Sequence, residues 1–106
     1  MFKEIPKHEP TPEEITTLRI RVEGLVQGVG FRAFAVKEAT ALGLMGWVRN
    51  RSDGTVEVLA SGPTNRVEDL LQAFLTRPPA AARIENIDML TADAPTQPGF
   101  AQRASL

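Results

Sequence analysis

Three glycines and an arginine, Gly24, Gly28, Gly30 and Arg32, crowd the stretch from Val22 to Arg32, VEGLVQGVGFR. Glycine takes positive φ at little cost and lets a ligand approach the backbone with no Cβ in the way. Successive N–H groups of such a loop can converge on one oxyanion. A guanidinium beside it offers a planar fork that suits two phosphoryl oxygens. The chemistry on offer is anion binding. The same glycines would also serve a tight turn with a solvated arginine beside it. The spacing is neither GxxxxGK[ST] nor GxGxxG, which argues against a nucleotide loop.

The flanking residues say what must position this loop. Leu18, Ile20 and Val22 alternate with Arg19, Arg21 and Glu23, the period of a strand with one buried and one wet face. From Phe31 the period changes: Phe31, Phe34, Ala35, Ala39 and Leu42 recur at three- and four-residue spacing, one stripe of a helix. The loop therefore joins a strand to a helix N-terminus, where unpaired N–H groups and a partial positive charge favour an anion. Arg32 leaves the helix about 100° round from the core stripe and is free to reach back over the loop.

A second segment, Gly46 to Gly62, reads GWVRNRSDGTVEVLASG. Trp47 and Val48 are strand residues, Ser52 to Gly54 is turn chemistry, and Thr55 to Leu59 resumes β-branched alternation, so a hairpin is predicted. Asn50 stands at its turn end, where asparagine also serves as an ordinary turn residue. Asp53 reads as a turn former and Glu23 as a solvated strand-end residue. Arg49 and Arg51 flank Asn50 and are expected to raise the local positive potential, with steering as their role.

Downstream, Thr64 or Asn65 can cap a helix whose apolar stripe is Val67, Leu70, Leu71 and Phe74, and Pro78 with Pro79 stops it. Ile84 to Leu90 looks like a strand, although Ile84 and Ile87 fall on opposite parities, and a bulge near Glu85 or Asn86 would reconcile them. A connection from Ala92 to Gly99 leads to a short closing strand at Phe100 to Arg103. Two strand-helix-strand halves predict an α+β fold, a ferredoxin-like α/β sandwich with an antiparallel sheet and both helices on one face.

Together the loop and the hairpin resemble the acylphosphatase family. Its first signature is met by Val22, Gly24, Val26, Gln27, Gly28, Val29, Phe31 and Arg32. The second is met by Gly46, Trp47, Val48, Arg49, Asn50, Gly54, Val56 and Gly62. The similarity runs from about Thr17 to Arg103. It implies a metal-free, cofactor-free hydrolase of the carboxyl-phosphate anhydride in small acyl phosphates. Arg32 would bind the phosphoryl group together with the loop Val26, Gln27, Gly28, Val29, Gly30 and Phe31, and Asn50 would place the attacking water. An acyl phosphate is already activated, so the task is one of positioning and electrostatics. A carboxamide suits the water because its oxygen accepts a hydrogen bond without adding negative charge beside the phosphate.

The chain has 106 residues, enough for one core and too few for two. Residues 1–16 read as a flexible leader, polar and broken by proline, and residues 17–106 as the domain. With 12 basic and 13 acidic side chains the net charge is -1, so no global field favours nucleic acid or a membrane surface. The absence of cysteine excludes a disulfide framework, cysteine-ligated zinc and a thiol nucleophile. The one histidine, His8, lies in the leader, and no cluster has metal-ligand spacing. No signal peptide or membrane-length apolar run is visible. A cytoplasmic monomer is expected, with an acyl phosphate as substrate and inorganic phosphate as product. The alternative is a non-catalytic carbamoyl-phosphate or anion-binding domain like that of hydrogenase maturation proteins. An RNA-reading sheet is disfavoured: it would expose stacked aromatics, yet tyrosine is absent and the Phe and Trp residues fall mostly at core-compatible positions or in the leader.

Overall fold

The computed structural model describes residues 14–106, so His8 and the leader as far as residue 13 lie outside the described residues. Seven elements follow in order: β1 (Ile15–Leu25), α1 (Phe31–Ala41), β2 (Met45–Asn50), β3 (Val56–Pro63), α2 (Thr64–Thr76), β4 (Arg83–Thr91) and β5 (Phe100–Gln102). The sheet order is β4-β1-β3-β2-β5. Pairs β1–β3, β1–β4 and β2–β3 are antiparallel, as the ferredoxin-like reading requires. The closing strand departs from it. Because β5 returns from the far edge in the direction opposite to β4, it joins β2 in parallel and makes the sheet mixed.

Alternation decides which face is covered. Ile20 and Val22 of β1, Val48 of β2, and Val56, Val58 and Ala60 of β3 turn to the helices and form the core with Phe31, Ala35 and Ala39 of α1 and Val67, Leu70 and Phe74 of α2. The two helices meet over the sheet through Phe31 and Phe74, whose ring centroids are 5.1 Å apart. Each such fully buried ring contributes about 1.5–3 kcal/mol relative to exposure. Residues of the opposite parity, among them Arg19, Trp47, Arg49 and Glu57, lie on the open face.

Strand β1 begins earlier than the alternation announces. Ile15 faces Pro63 and Thr16 faces Gly62 on β3, so the last two residues assigned to the leader belong to the sheet. The hydroxyls of Thr16 and Thr64 share a hydrogen bond of 2.6 Å, which explains a second difference: Thr64 does not cap α2. Pro63 stands at the cap position and no side chain bonds the first turn.

The bulge in β4 falls where the parity conflict requires it. Glu23 faces Asn86 and Gly24 faces Ile84, leaving Glu85 unmatched. Gly24 has φ +129°, and a Cβ there would lie 2.0 Å from the Arg83 carbonyl oxygen and 2.9 Å from the Glu85 nitrogen. This glycine therefore serves the close approach of β1 to the bulge, not a ligand. Both the conformation and the clash involve backbone that cannot turn aside. Gly24→Ala is expected to lower the unfolding free energy by about 3 kcal/mol or more in urea titration. A loss below about 1 kcal/mol would mean that the β4 bulge yields easily.

Candidate active site

Gly28 and Gly30 both have positive φ, and a Cβ at either would meet nothing within 4 Å. Their role is conformational, and the space beside them is open. Gly30 occupies the cap position of α1 in the left-handed region, without a side-chain cap. The first hydrogen bond of the helix runs from the Phe34 N–H to the Gly30 carbonyl at 3.1 Å. The N–H groups of Phe31, Arg32 and Ala33, which precede it, have no acceptor within the helix. They remain available to an anion, at the end of the helix that favours one.

A hollow of about 140 Å³ opens there, lined by Val26, Gly28, Gly30, Phe31, Arg32, Ala33 and Gln102. It has the volume of about four or five water molecules, enough for a phosphoryl group and a water. Arg32 is half-buried in its wall and has no ion pair among the described residues. Of the loop residues singled out in the sequence, Val26, Gly28, Gly30, Phe31 and Arg32 come together at this hollow, whereas Gln27 and Val29 do not line it. Val29 packs against the core instead.

The Gln27 side chain does something the sequence did not announce. Its amide Nε2 donates to the carbonyl oxygens of Arg51 at 2.8 Å and Thr55 at 2.9 Å. These are the two residues where the hairpin turn leaves β2 and enters β3. The side chain thus ties the glycine loop to the turn end that carries Asn50. On the other flank Gln102 lines the hollow and faces Val48 of β2 in register. Asn50 is not part of the hollow's lining, but the strand end that holds it is fixed to the loop by these links. Its Oδ1 is, among the described residues, the buried side-chain polar atom that no protein group pairs by a hydrogen bond.

The turn itself is tightly held. Asp53 Oδ1 accepts from the Thr55 N–H at 3.0 Å and from its hydroxyl at 2.6 Å. These bonds hold the Asp53 carboxyl below its usual pKa, and confirm it as a turn former. Glu23 accepts from Asn86 Nδ2 at 2.7 Å, at the strand end. Arg49 and Arg51 are not free to steer. Arg49 Nε donates to Glu57 Oε1 at 2.7 Å and Arg51 to the same oxygen at 3.0 Å, on the open face. Arg49 also lies over the Trp47 ring at 4.7 Å, with Arg103 over the same ring at 4.9 Å. The sheet's one open-face indole is thereby covered, and offers no platform for a base.

A larger hollow of about 500 Å³ lies on that open face, among Arg19, Arg21, Arg51, Glu57, Asp88, Met89 and Leu90. Size does not make it the better anion site. Arg19 and Arg51 both reach Glu57 and Arg21 reaches Glu23, so its cations are already paired. Among the described residues no group of three or more His, Cys, Asp or Glu could hold a metal ion, and no helix is long and apolar enough to cross a membrane.

Comparison with known proteins shows the family. The acylphosphatase family model matches residues 18–102. An acylphosphatase from Rhodospirillum rubrum is 50% identical over 90 residues, covering 85% of this chain and 98% of that protein. The crystal structure of acylphosphatase from Bacillus subtilis superposes with a TM-score of 0.76 at 35% identity, over 85% of this chain and 99% of the other. Full-length HypF in its phosphate- and nucleotide-bound form superposes with a TM-score of 0.82 at 26% identity, over 94% of this chain but 13% of HypF. The chain belongs to the acylphosphatase family of acyl phosphate hydrolases.

Proposed function

We propose that the chain hydrolyses small acyl phosphates by direct in-line attack of water, with Arg32 and the N–H groups of the Val26–Phe31 loop and first helical turn holding the phosphoryl group and Asn50 holding the water. Oxygen of the water bonds to phosphorus as the bond from phosphorus to the acyl oxygen breaks. The carboxylate leaves with the electron pair, and the water's proton passes to a phosphoryl oxygen or to solvent. Arg32 and the N–H groups neutralise charge on the equatorial oxygens, where fixed donors contribute most. No strong base is needed, because the leaving group is already good.

The observation that carries this reading is the orphaned Oδ1 of Asn50. No protein donor reaches this buried acceptor, so its lone pairs are free to accept a hydrogen bond from the attacking water. Alignment over 98% of an acylphosphatase favours the enzyme over the carbamoyl-phosphate or anion-binding alternative. The loop, helix and hairpin of a single chain supply every part of the site, so a monomer suffices for the reaction. The cysteine-free composition suits the reducing cytoplasm.

The test is phosphate release from a synthetic aryl acyl phosphate, before and after exhaustive chelation. Since the described side chains offer no ligand cluster, turnover should survive chelation unchanged, and elemental analysis should find no stoichiometric metal. Loss of turnover restored by a single divalent ion would overturn the metal-free mechanism. Absence of phosphate release from any acyl phosphate would favour the binding domain.

A further inference from the structure

Glu57 is, among the described residues, the buried carboxylate, and no step of the mechanism uses it. It lies on β3, 4% exposed, on the face away from the anion loop, directly opposite Arg49 in register. A buried carboxylate ordinarily weakens a fold unless it is fully paired. This one gathers three guanidiniums: Arg49 at 2.7 Å and Arg51 at 3.0 Å on Oε1, and Arg19 at 3.4 Å on Oε2.

Two of those three partners stand on either side of Asn50. Side chains alternate along a strand, so Arg49 and Arg51 point to the open face while Asn50 points to the helix face. Without a counter-charge the two guanidiniums would repel one another across about 7 Å of strand. Drawn to a single oxygen, they instead pull the end of β2 flat onto β3 beyond the last ladder pair, Asn50 with Val56. A side chain with an unsatisfied buried acceptor would otherwise gain by rotating toward any donor. It stays only where the surrounding structure over-determines it.

We propose that Glu57 is a positioning residue for the hydrolysis, acting through Arg49 and Arg51 to hold Asn50 with its Oδ1 directed at the attacking water. This rests on the assignment of Asn50 to the water. Burial pushes the Glu57 carboxyl up, but the hydrogen bonds and charges of Arg49 and Arg51 outweigh it and hold it below its usual pKa, so the clamp is ionic at neutral pH. The role differs from that of Gln27, which sets the spacing between loop and turn through backbone carbonyls and leaves the orientation at residue 50 to its neighbours.

A double-mutant cycle tests this, with Glu57→Gln, Glu57→Ala and Asn50→Ala alone and combined. Each variant is checked for folding by circular dichroism and urea titration. Glu57→Gln, which keeps the shape and one acceptor oxygen, serves if Glu57→Ala does not fold. A misplaced water-holding group costs up to about 100-fold, so Glu57→Gln should lower kcat by about 10-fold while the inhibition constant of inorganic phosphate stays within about 2-fold. On the Asn50→Ala background the same change should lower kcat no further, since interacting residues are non-additive. An equal loss on both backgrounds, a parallel loss of phosphate affinity, or unchanged kcat would each overturn the role of Glu57. If Asn50→Ala alone leaves kcat intact, the assignment of the water falls, and this inference falls with it.

Discussion

Arg32→Ala should lower turnover by about 100-fold or more, on the order of 3 kcal/mol, and weaken competitive inhibition by inorganic phosphate by a similar factor. The guanidinium is half-buried in the wall of the anion hollow and has no carboxylate partner among the described residues. Its removal leaves no orphaned anion in the free enzyme, so stability should change little. All of the loss should therefore appear with ligand, in the transition state above all. Arg32→Lys gives the complementary measurement: a point charge replaces the planar fork, and part of the phosphate affinity should return with less of the turnover. A folded Arg32→Ala protein with near-normal turnover and phosphate inhibition would show that the anchor lies elsewhere.

The contrast between Arg32 and its neighbours explains how much of this site was legible in the sequence. The loop could be read because the hydrophobic period changes from two to three-and-four at Phe31, which is where α1 begins. The β4 bulge could be read because Ile84 and Ile87 cannot share a face without it, and Glu85 is the residue left over. Long-range partners could not. Nothing in the neighbourhood of Gln27 announces that its amide crosses to the carbonyls of Arg51 and Thr55. That contact exists only after β1 and the hairpin have been laid in one sheet. Gly24 resembled Gly28 and Gly30 on the page, yet it accommodates strand β4 while they border the hollow.

The sequence holds one further signal. Once Ser52 to Gly54 is taken as the turn, Arg49 and Glu57 fall opposite one another on antiparallel strands, an opposite-charge pair of the stabilising kind. That register sets Arg49 directly against Glu57, with Arg51 on the diagonal. The mixed sheet had no comparable signal, since a three-residue closing strand is too short for its pattern to declare a direction.

Asn50→Ala separates binding from chemistry and is the sharpest test of the catalytic assignment. The alanine removes a buried acceptor that no protein donor reaches among the described residues, so no protein hydrogen bond to that oxygen is lost and folding should change little. Phosphate should still bind with near-normal affinity, because the hollow is lined by the loop, α1 and Gln102 and not by residue 50. What is lost is the hold on the water, and turnover should fall by about 100-fold or more at unchanged phosphate inhibition. Asn50→Asp restores an acceptor but adds a negative charge facing a phosphoryl dianion, so it should weaken phosphate binding as well as turnover, and the two substitutions should differ in that respect. Intact turnover with poor phosphate binding in Asn50→Ala would move Asn50 into the anion site. Neither property altered would leave it an ordinary residue at the end of a hairpin, with its unpaired oxygen unexplained.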